Sequence, residues 1–206
     1  MGDTHVVGID IGTTGAKAAV FGLDGGLVAS AYSEYACTYP RPNWVEQDID
    51  IIDGAAIDCC RKAVEQSGLG AGKIAAVSFS AQRCCSVFVD AAGRLVRPMI
   101  SWQDNRAHEE AEEIGRKIPA DEFYDITGMP LNTTWMVSKI LWVRAHEPEN
   151  WKRVAKVVQL QDYALKMMGA GEFFDDVSDA GFYGLWDPYA VDWSDRLLGL
   201  LCLDRS

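Results

Sequence analysis

The sequence lacks the features of a membrane or secreted protein. No apolar run approaches the roughly 18 to 20 residues that a membrane-spanning helix needs. The first apolar run, residues 6–11, is too short for a signal peptide and leads into Asp-Ile-Gly. The sequence therefore predicts a cytoplasmic protein that makes no contact with a membrane.

Basic residues and metal-binding cysteine patterns are also scarce. Lys and Arg number 19 against 30 Asp and Glu, which gives a formal net charge of −11. Nucleic-acid partners need a basic face, so the charge argues against a nucleic-acid partner. None of the six cysteines forms a Cys-x-x-Cys pair, and their spacing does not converge on a zinc ion. We expect reduced and mostly buried thiols.

The two commonest nucleotide-binding patterns are missing as well. The sequence has no Gly-Lys-Thr or Gly-Lys-Ser of a P-loop. Its first glycine-rich segment, residues 12–15, is followed by a strand pattern over residues 16–21. Rossmann and P-loop domains place a helix directly after the glycines, so both folds are disfavoured.

What is present is the pattern of an α/β domain. The 206 residues are 49% apolar, which suits one domain or one half of a larger protein. Turn signals separate strand patterns over residues 6–11, 16–21 and 27–35, which predicts an antiparallel meander. Asp48 or Asp50 can cap a helix that runs to about Gln66 and ends at Gly68. Later patterns predict strands over 74–79, 86–89 and 154–160, and helices over 107–116, 121–126, 134–146 and 162–168.

The turn between the first two strands has the chemistry of a phosphate site. Its glycines permit positive φ and close backbone approach, and successive N–H groups in such a turn can point at an anion. An aspartate beside phosphates is explained if Mg²⁺ lies between them. The predicted phosphate-binding residues are Gly12, Thr13, Thr14, Gly15 and Lys17, and the predicted metal ligand is Asp10. The alternative is an ordinary hairpin turn with an incidental aspartate.

Several motifs together resemble one family. Asp-Ile-Gly-Thr-Thr-Gly at residues 10–15 resembles the first phosphate motif of the actin, hexokinase and heat-shock chaperone superfamily. Residues 39–48 resemble the Pro-x-x-Gly-Trp-Val-Glu-x-Asp segment of the FGGY carbohydrate kinases, and Ala-Gln-Arg at 81–83 and Trp-Gln-Asp-Asn-Arg at 102–106 resemble their sugar-facing loops. Later landmarks follow in order at 162–163, 169–172, 176–180 and 192–194. Residues 1–206 thus resemble the N-terminal domain of this family, and most closely that of xylulokinases.

This resemblance implies a fold and a function. The fold is α/β and ribonuclease-H-like, with a mixed sheet, antiparallel opening strands and flanking helices. The function is ATP- and Mg²⁺-dependent phosphorylation of a sugar or polyol, with D-xylulose converted to xylulose 5-phosphate as the first choice. Glycerol or another polyol, and a non-catalytic sugar-binding or regulatory half, are the alternatives. A chaperone or filament protein would lack the sugar-facing loops. The resemblance is also compatible with a homodimer.

The predicted sugar pocket needs donors and acceptors beside an aromatic wall. Arg83 offers a forked donor and Trp102 a surface for the C–H face of a sugar. Gln82 and Asp104 can bind hydroxyls or hold Arg83 in place. The pair Arg83-Cys84 matches neither the Met-His of xylulokinases nor the Arg-Glu of glycerol kinases, so the substrate stays open.

Some of these residues also have structural interpretations. Trp102 alone reads as a packing residue, and Arg106 with the following glutamates as a solvated helix face. Asp176 and Asp179 read as residues that cap or turn the chain. The resemblance places the catalytic base in a Gly-Asp segment of a second lobe. We therefore expect no catalytic base within residues 1–206 and no activity from this chain alone.

Overall fold

The computed structural model describes residues 4–205, which form two compact units. The first unit holds the chain up to residue 37 together with residues 47–82, and the second holds residues 38–46 and the chain from residue 83 onward. Within the described range, no helix has both the length and the apolar character that a membrane crossing requires.

The first unit contains a mixed four-stranded sheet. In chain order the strands up to this point are β1 (His5–Ile11), β2 (Gly15–Gly22), β3 (Leu27–Glu34), the two-residue β4 (Glu46–Gln47) and β5 (Ile74–Ala81). The sheet order is β3-β2-β1-β5, with β1 antiparallel to β2, β2 antiparallel to β3, and β5 parallel to β1. This confirms the predicted antiparallel opening and mixed sheet, and a strand follows the glycine turn.

One helix covers this sheet. Helix α1 (Ile49–Ser67) packs against β2 and β3. The Asp48 side chain caps its start by accepting from the Asp50 N–H at 3.0 Å, and Gly68 ends it with φ 69°. Its buried apolar residues recur at helical spacing, and they are Ile49, Ile52, Ala56, Cys59 and Ala63. The cap and the end of this helix confirm the sequence prediction.

The second unit consists mainly of helices. Its elements are β6 (Val87–Val89), β7 (Met99–Ile100), α2 (His108–Lys117), α3 (Ala120–Thr127), α4 (Met136–His146), α5 (Pro148–Trp151), β8 (Lys156–Val158), α6 (Leu160–Met167), α7 (Val177–Ala180), β9 (Trp186–Asp187), β10 (Asp192–Trp193) and α8 (Asp195–Leu201). Strands β6 and β8 pair antiparallel, as do β9 and β10, and α2 packs on α4. Helix α4 begins two residues later than the apolar pattern predicts, and the last four elements were not predicted.

The interpretation of Arg106 as part of a solvated helix face is wrong. Helix α2 begins after it, and the Arg106 side chain is fully buried. Glu110 is buried too, where its carboxylate lies 2.9 Å from His146 Nε2. Exposed side chains on this helix do form the expected i,i+4 pairs, such as Lys117 with Glu113 at 2.6 Å.

Of the two turn glycines, Gly15 is needed for close approach, and neither is needed for positive φ. Neither Gly12 nor Gly15 has positive φ, which corrects the first part of the sequence argument. A Cβ on Gly15 would lie 2.6 Å from Tyr32 Oη and 2.7 Å from the Ser33 carbonyl oxygen on the neighbouring strand. Real Cβ atoms do not approach other atoms so closely, so only glycine fits where β2 leaves the turn.

We therefore expect opposite results from two Gly→Ala substitutions. Gly15→Ala should lower the free energy of unfolding by about 1–3 kcal/mol, because β3 must move away from β2. Gly54→Ala, in α1 with nothing within 4 Å of its added Cβ, should raise it by about 0.5–1 kcal/mol. Urea unfolding of the purified chain measures both, and a Gly15→Ala protein as stable as the wild type would contradict the close approach.

Candidate functional site

In the first unit, the predicted metal ligand lies beside the glycine turn. Asp10 is exposed and directly opposes Lys17 across the β1–β2 ladder. On its other side it opposes Ser80 of β5, whose Oγ donates to Asp10 Oδ1 at 3.0 Å. An accessible carboxylate is thus placed between a cationic and a hydroxyl side chain at one end of the sheet.

The turn itself is closed by short backbone bonds. The Gly12 N–H donates to the Gly15 carbonyl at 3.0 Å. Tyr35, which directly follows β3, holds two further carbonyls: its Oη donates to the Gly12 oxygen at 2.6 Å and its N–H donates to the Thr14 oxygen at 3.1 Å. Tyr35 is buried, so these contacts form part of the packed unit.

Two glutamines hold the remaining carbonyls of the turn. Gln47 Nε2 donates to the Thr13 oxygen at 2.9 Å, and the Gln82 N–H donates to the Ile11 oxygen at 2.8 Å. The Gln82 side chain then donates to Gln47 Oε1 at 2.7 Å, while its own Oε1 is buried with no hydrogen-bond partner among the described residues. The carbonyls from residue 11 to residue 14 are therefore all bonded within the unit, which fixes the conformation of the turn.

This arrangement fits a Mg²⁺–phosphate group. Within residues 4–205 no three His, Cys, Asp or Glu side chains converge on a metal position. Mg²⁺ in kinases needs no such cage, because it binds through one or two carboxylates, waters and substrate phosphates. For such a group Asp10 would supply the carboxylate and Lys17 a positive charge, beside a turn whose carbonyls have partners of their own.

In the second unit, Arg83 lies between a carboxylate and an aromatic ring. Its Nε is 3.2 Å from Asp179 Oδ1, and its Cζ is 5.3 Å from the centre of the Phe182 ring. The Arg83 side chain is half exposed, whereas that of Asp179 is buried. The interpretation of Asp179 as a residue that only caps or turns the chain is therefore incomplete. Asp176 does cap α7, since its side chain accepts from the N–H groups of Ser178 and Asp179.

Cys84 is buried and held in an unusual backbone conformation. Its φ is 59°, a value that non-glycine residues rarely adopt and that often marks functional sites. Its N–H donates to Gln159 Oε1 at 3.1 Å. Burial raises the pKa of the Cys84 thiol to about 11, so this cysteine is a protonated packing group and not a nucleophile.

A buried lysine supports the same loop. Lys139 Nζ donates to the Thr134 carbonyl at 2.9 Å and to the Cys84 carbonyl at 3.5 Å. Its side chain is fully buried, and burial lowers the pKa of its ammonium group to about 8. Lys139 thereby joins the segment before α4 to the segment after Arg83. A single lysine inside the apolar run of residues 136–143 was the sequence signal for this role, and sequence reasoning missed it.

Trp102 and Asp104 lie in one turn but differ in exposure. Trp102 is 40% exposed, whereas the carboxylate of Asp104 is fully buried. Asp104 Oδ1 accepts from the Arg106 N–H at 2.9 Å, and Oδ2 accepts from Arg106 Nη2 at 2.8 Å and from the Val45 N–H at 2.5 Å. The expectation that Asp104 holds Arg83 is therefore wrong, because its partner is Arg106.

The structure thus groups the predicted residues within each unit. In the first unit, Asp10, Lys17, Gln82 and the turn form one hydrogen-bonded end of the sheet. In the second unit, Arg83 and Cys84 form one supported loop and Trp102 is presented by another. The residues that sequence reasoning missed are those behind the loops, namely Tyr35, Gln47, Lys139, Gln159 and Phe182, along with the Arg83 contact of Asp179.

Known proteins match this chain along almost its whole length. Residues 5–206 match the model of the FGGY family of carbohydrate kinases, N-terminal domain. The xylulose kinase of Escherichia coli (strain K12) is 32% identical over 200 residues, which are 97% of this chain and 40% of that protein. The glycerol kinase of Bacillus subtilis (strain 168) is 28% identical over 211 residues, 99% of this chain and 42% of that protein.

Solved structures agree with these sequence matches. The xylulose kinase from Rhodospirillum rubrum superposes with a TM-score of 0.91 at 25% identity, covering 98% of this chain and 41% of the other. The gluconate kinase from Lactobacillus acidophilus has a TM-score of 0.90 at 24% identity, which bears on the fold alone. The chain therefore spans about two fifths of the length of these relatives.

The support behind the Arg83 loop should respond to pH through Asp162. The side-chain oxygen of Gln159 accepts from the Cys84 N–H. The backbone N–H of Gln159 donates to Asp162 Oδ2 at 2.8 Å. Burial, with Asp175 nearby, raises the pKa of Asp162 to about 8. Because the pKa of Asp162 is higher in the folded chain than in the unfolded chain, its protonation stabilises the fold. This stabilisation is complete below the unfolded-state pKa of about 3.9. That stability is lost as pH rises through about 8.

Asp162→Asn keeps a side-chain oxygen that can accept from the Gln159 N–H, but it removes the carboxyl group that titrates. We therefore expect the free energy of unfolding of this variant to fall less than that of the wild type between about pH 4 and pH 8. Asp204→Asn, an exposed carboxylate near the end of the chain, is the control and should follow the wild type. Parallel pH profiles for wild type and Asp162→Asn would show that Asp162 is ionised throughout.

Proposed function

Because this chain belongs to the FGGY family of carbohydrate kinases, we propose that its protein transfers the γ-phosphoryl group of ATP to a hydroxyl of a sugar or polyol. The observation that carries this proposal is the family match from residue 5 to residue 206. The geometry of the first unit supports it, because the sheet end around Asp10 suits a metal-bound phosphate.

The first unit binds the phosphates in this proposal. Mg²⁺ bound to ATP supplies charge neutralisation for the transferred group. Asp10 would hold that metal, while Lys17 and the turn from Gly12 to Gly15 would bind phosphate oxygens. Tyr35, Gln47 and Gln82 keep the turn in one conformation, so that no reorganisation of the backbone is needed when the nucleotide binds.

The second unit binds the sugar in this proposal, and Gln82 of the first unit stays a predicted sugar-binding residue. Arg83 would donate to adjacent hydroxyls, Trp102 would pack on a C–H face, and the Gln82 Oε1 atom offers an acceptor. Cys84 would contribute an apolar wall. Asp104 has both oxygens bonded within the protein, so we assign it to the support of the Trp102 turn and not to hydroxyl binding.

D-xylulose is the substrate that we propose, with xylulose 5-phosphate as the product. The supporting observation is the 32% identity to the xylulose kinase of Escherichia coli. Glycerol is the second candidate, supported by Arg83 and by the 28% identity to the glycerol kinase of Bacillus subtilis. Initial rates with D-xylulose, glycerol and gluconate, each with ATP and Mg²⁺, decide between them, and the preferred substrate should have the highest kcat/KM.

We also propose that the base that accepts the hydroxyl proton lies outside residues 1–206. Such a base must reach the attacking hydroxyl with an available oxygen. Asp104 is buried with its oxygens bonded, and Asp10 is assigned to the metal. We place the base, and the rest of the nucleotide site, in the part of the relatives' length that this chain does not cover.

Asp10→Asn in the full-length protein should lower turnover far more than sugar affinity. The carboxylate acts through the metal, so its loss removes stabilisation of the transferred group and leaves the sugar contacts intact. We expect kcat to fall by roughly a hundredfold or more, with KM for the sugar within about threefold. Glu34→Gln, an exposed carboxylate on β3, is the control. A raised sugar KM with turnover preserved would place Asp10 in the sugar pocket.

Purified residues 1–206 should phosphorylate no sugar by themselves. Without a second lobe the base is absent and water can reach the phosphoryl group. Coupled assays of ADP release with D-xylulose and with glycerol should stay at background for this chain, while the full-length protein turns over. Steady sugar phosphorylation by residues 1–206, abolished by Asp10→Asn, would show that the base lies within the chain.

A further inference from the structure

The contact between Arg83 and Asp179 joins an exposed side chain to a buried one. The Arg83 side chain is 51% exposed, and the Asp179 side chain is 2% exposed. Arg83 Nε lies 3.2 Å from Asp179 Oδ1. The buried carboxylate of Asp179 thus lies near the Nε atom of the guanidinium as an ion pair, without the geometry of a hydrogen bond. An isolated buried carboxylate is costly, so this pairing gives Asp179 the opposite charge that its burial requires.

Hydrogen bonds on both sides hold the backbone of Asp179 in place. Gln159 Nε2 donates to the Asp179 carbonyl at 2.6 Å, and Gln159 Oε1 accepts from the Cys84 N–H. One buried glutamine therefore connects the backbone of Asp179 to the backbone of the residue that follows Arg83. The Asp179 N–H also donates to the side chain of Asp176 at 3.1 Å. The backbones of Asp179 and of Cys84, the neighbour of Arg83, are thus held by the same hydrogen-bonded set.

Phe182 restricts the guanidinium further. The Cζ atom of Arg83 lies 5.3 Å from the ring centre, within the range of a cation–π contact. With Asp179 at the Nε edge and Phe182 within cation–π distance, the terminal Nη groups are the donors left to reach outward. A guanidinium offers five N–H donors in a fixed fork, so fixing one edge also fixes the direction of the others.

We infer that Asp179 is a positioning residue for sugar binding, which orients Arg83 so that its Nη groups bind adjacent hydroxyls of the substrate. This inference rests on the proposed function and assigns to Asp179 a specific part in it. The neighbour of Arg83 in sequence, Cys84, is a buried thiol and supplies no charge. The acidic partner of the arginine therefore comes from α7, far along the chain.

The test compares Asp179→Asn, Asp179→Glu and Arg83→Gln in the full-length protein. Glu172→Gln, an exposed carboxylate in the segment before α7, is the matched control. We expect Asp179→Asn to raise KM for D-xylulose about tenfold or more, because the ion pair that positions Arg83 is lost. The kcat value and KM for ATP should stay within about threefold. Asp179→Glu should restore part of the sugar affinity, and Glu172→Gln should match the wild type.

A double-mutant cycle separates positioning from direct binding. If Asp179 acts through Arg83, Asp179→Asn should have little further effect on KM in an Arg83→Gln background. Additive effects on KM would overturn the inference, because Asp179 would then act independently of the arginine. Equal changes in kcat and both KM values, together with a lowered melting temperature, would also overturn it, since they indicate a purely structural ion pair. If Asp179→Asn fails to fold, Arg83→Gln and Asp179→Glu decide the same question.

Failure of the inference is distinguishable from failure of the proposed function. A wild-type protein that phosphorylates D-xylulose, with KM unchanged in Asp179→Asn, overturns the inference and leaves the function standing. A wild-type protein that phosphorylates none of the three substrates overturns the proposed function. In that case calorimetric titration with D-xylulose decides the inference: weaker binding by Asp179→Asn supports it, and equal binding, or none by the wild type, overturns it.

Discussion

The second unit depends on one buried guanidinium, that of Arg106. This side chain is 0% exposed and pairs with Asp104 and Glu46, each at 2.8 Å. The indole rings of Trp44 and Trp142 have their centres 3.9 Å and 4.9 Å from its Cζ. A buried charge is tolerated only with such partners, and loss of one partner leaves the others uncompensated at a cost of roughly 3–5 kcal/mol. The segments that supply these partners are therefore tied to one another.

The same network fixes the backbone of the candidate sugar-binding turn that contains Trp102. Asp104, which binds Arg106, also accepts from the Val45 N–H, and the Ser101 N–H donates to the Val45 carbonyl at 3.0 Å. Trp102 lies between Ser101 and Asp104 in the sequence and is 40% exposed. The buried charges thus define the backbone on either side of an aromatic side chain that can meet a ligand. Lys139 plays a comparable part behind Cys84, where its ammonium group binds two backbone carbonyls.

Local patterns in the sequence were enough to predict the first unit. Alternating apolar residues and glycine turns predicted strands β1 to β3, and Asp48 and Gly68 predicted the limits of α1. The placement of Asp10 opposite Lys17 follows from the hairpin register, because residues at equal distances from a turn face each other. The motif order also identified the family, since it depends on the sequence alone. The strands, the limits of α1 and the hairpin register are each set by residues close together in the chain.

Tertiary structure alone decided which polar groups are buried and what they bind. Asp104 and Val45 are 59 positions apart, and no periodic pattern relates them. The burial of Arg106 and the pairing of Arg83 with Asp179 likewise depend on segments that only packing brings together. The reason is physical: a side chain's charge and shape are readable from sequence, whereas the cost of burying it depends on partners supplied by distant segments. The sequence by itself thus determined the element order, the hairpin and the family, and the folded chain decided which residues of the candidate site are buried as supports and which are exposed.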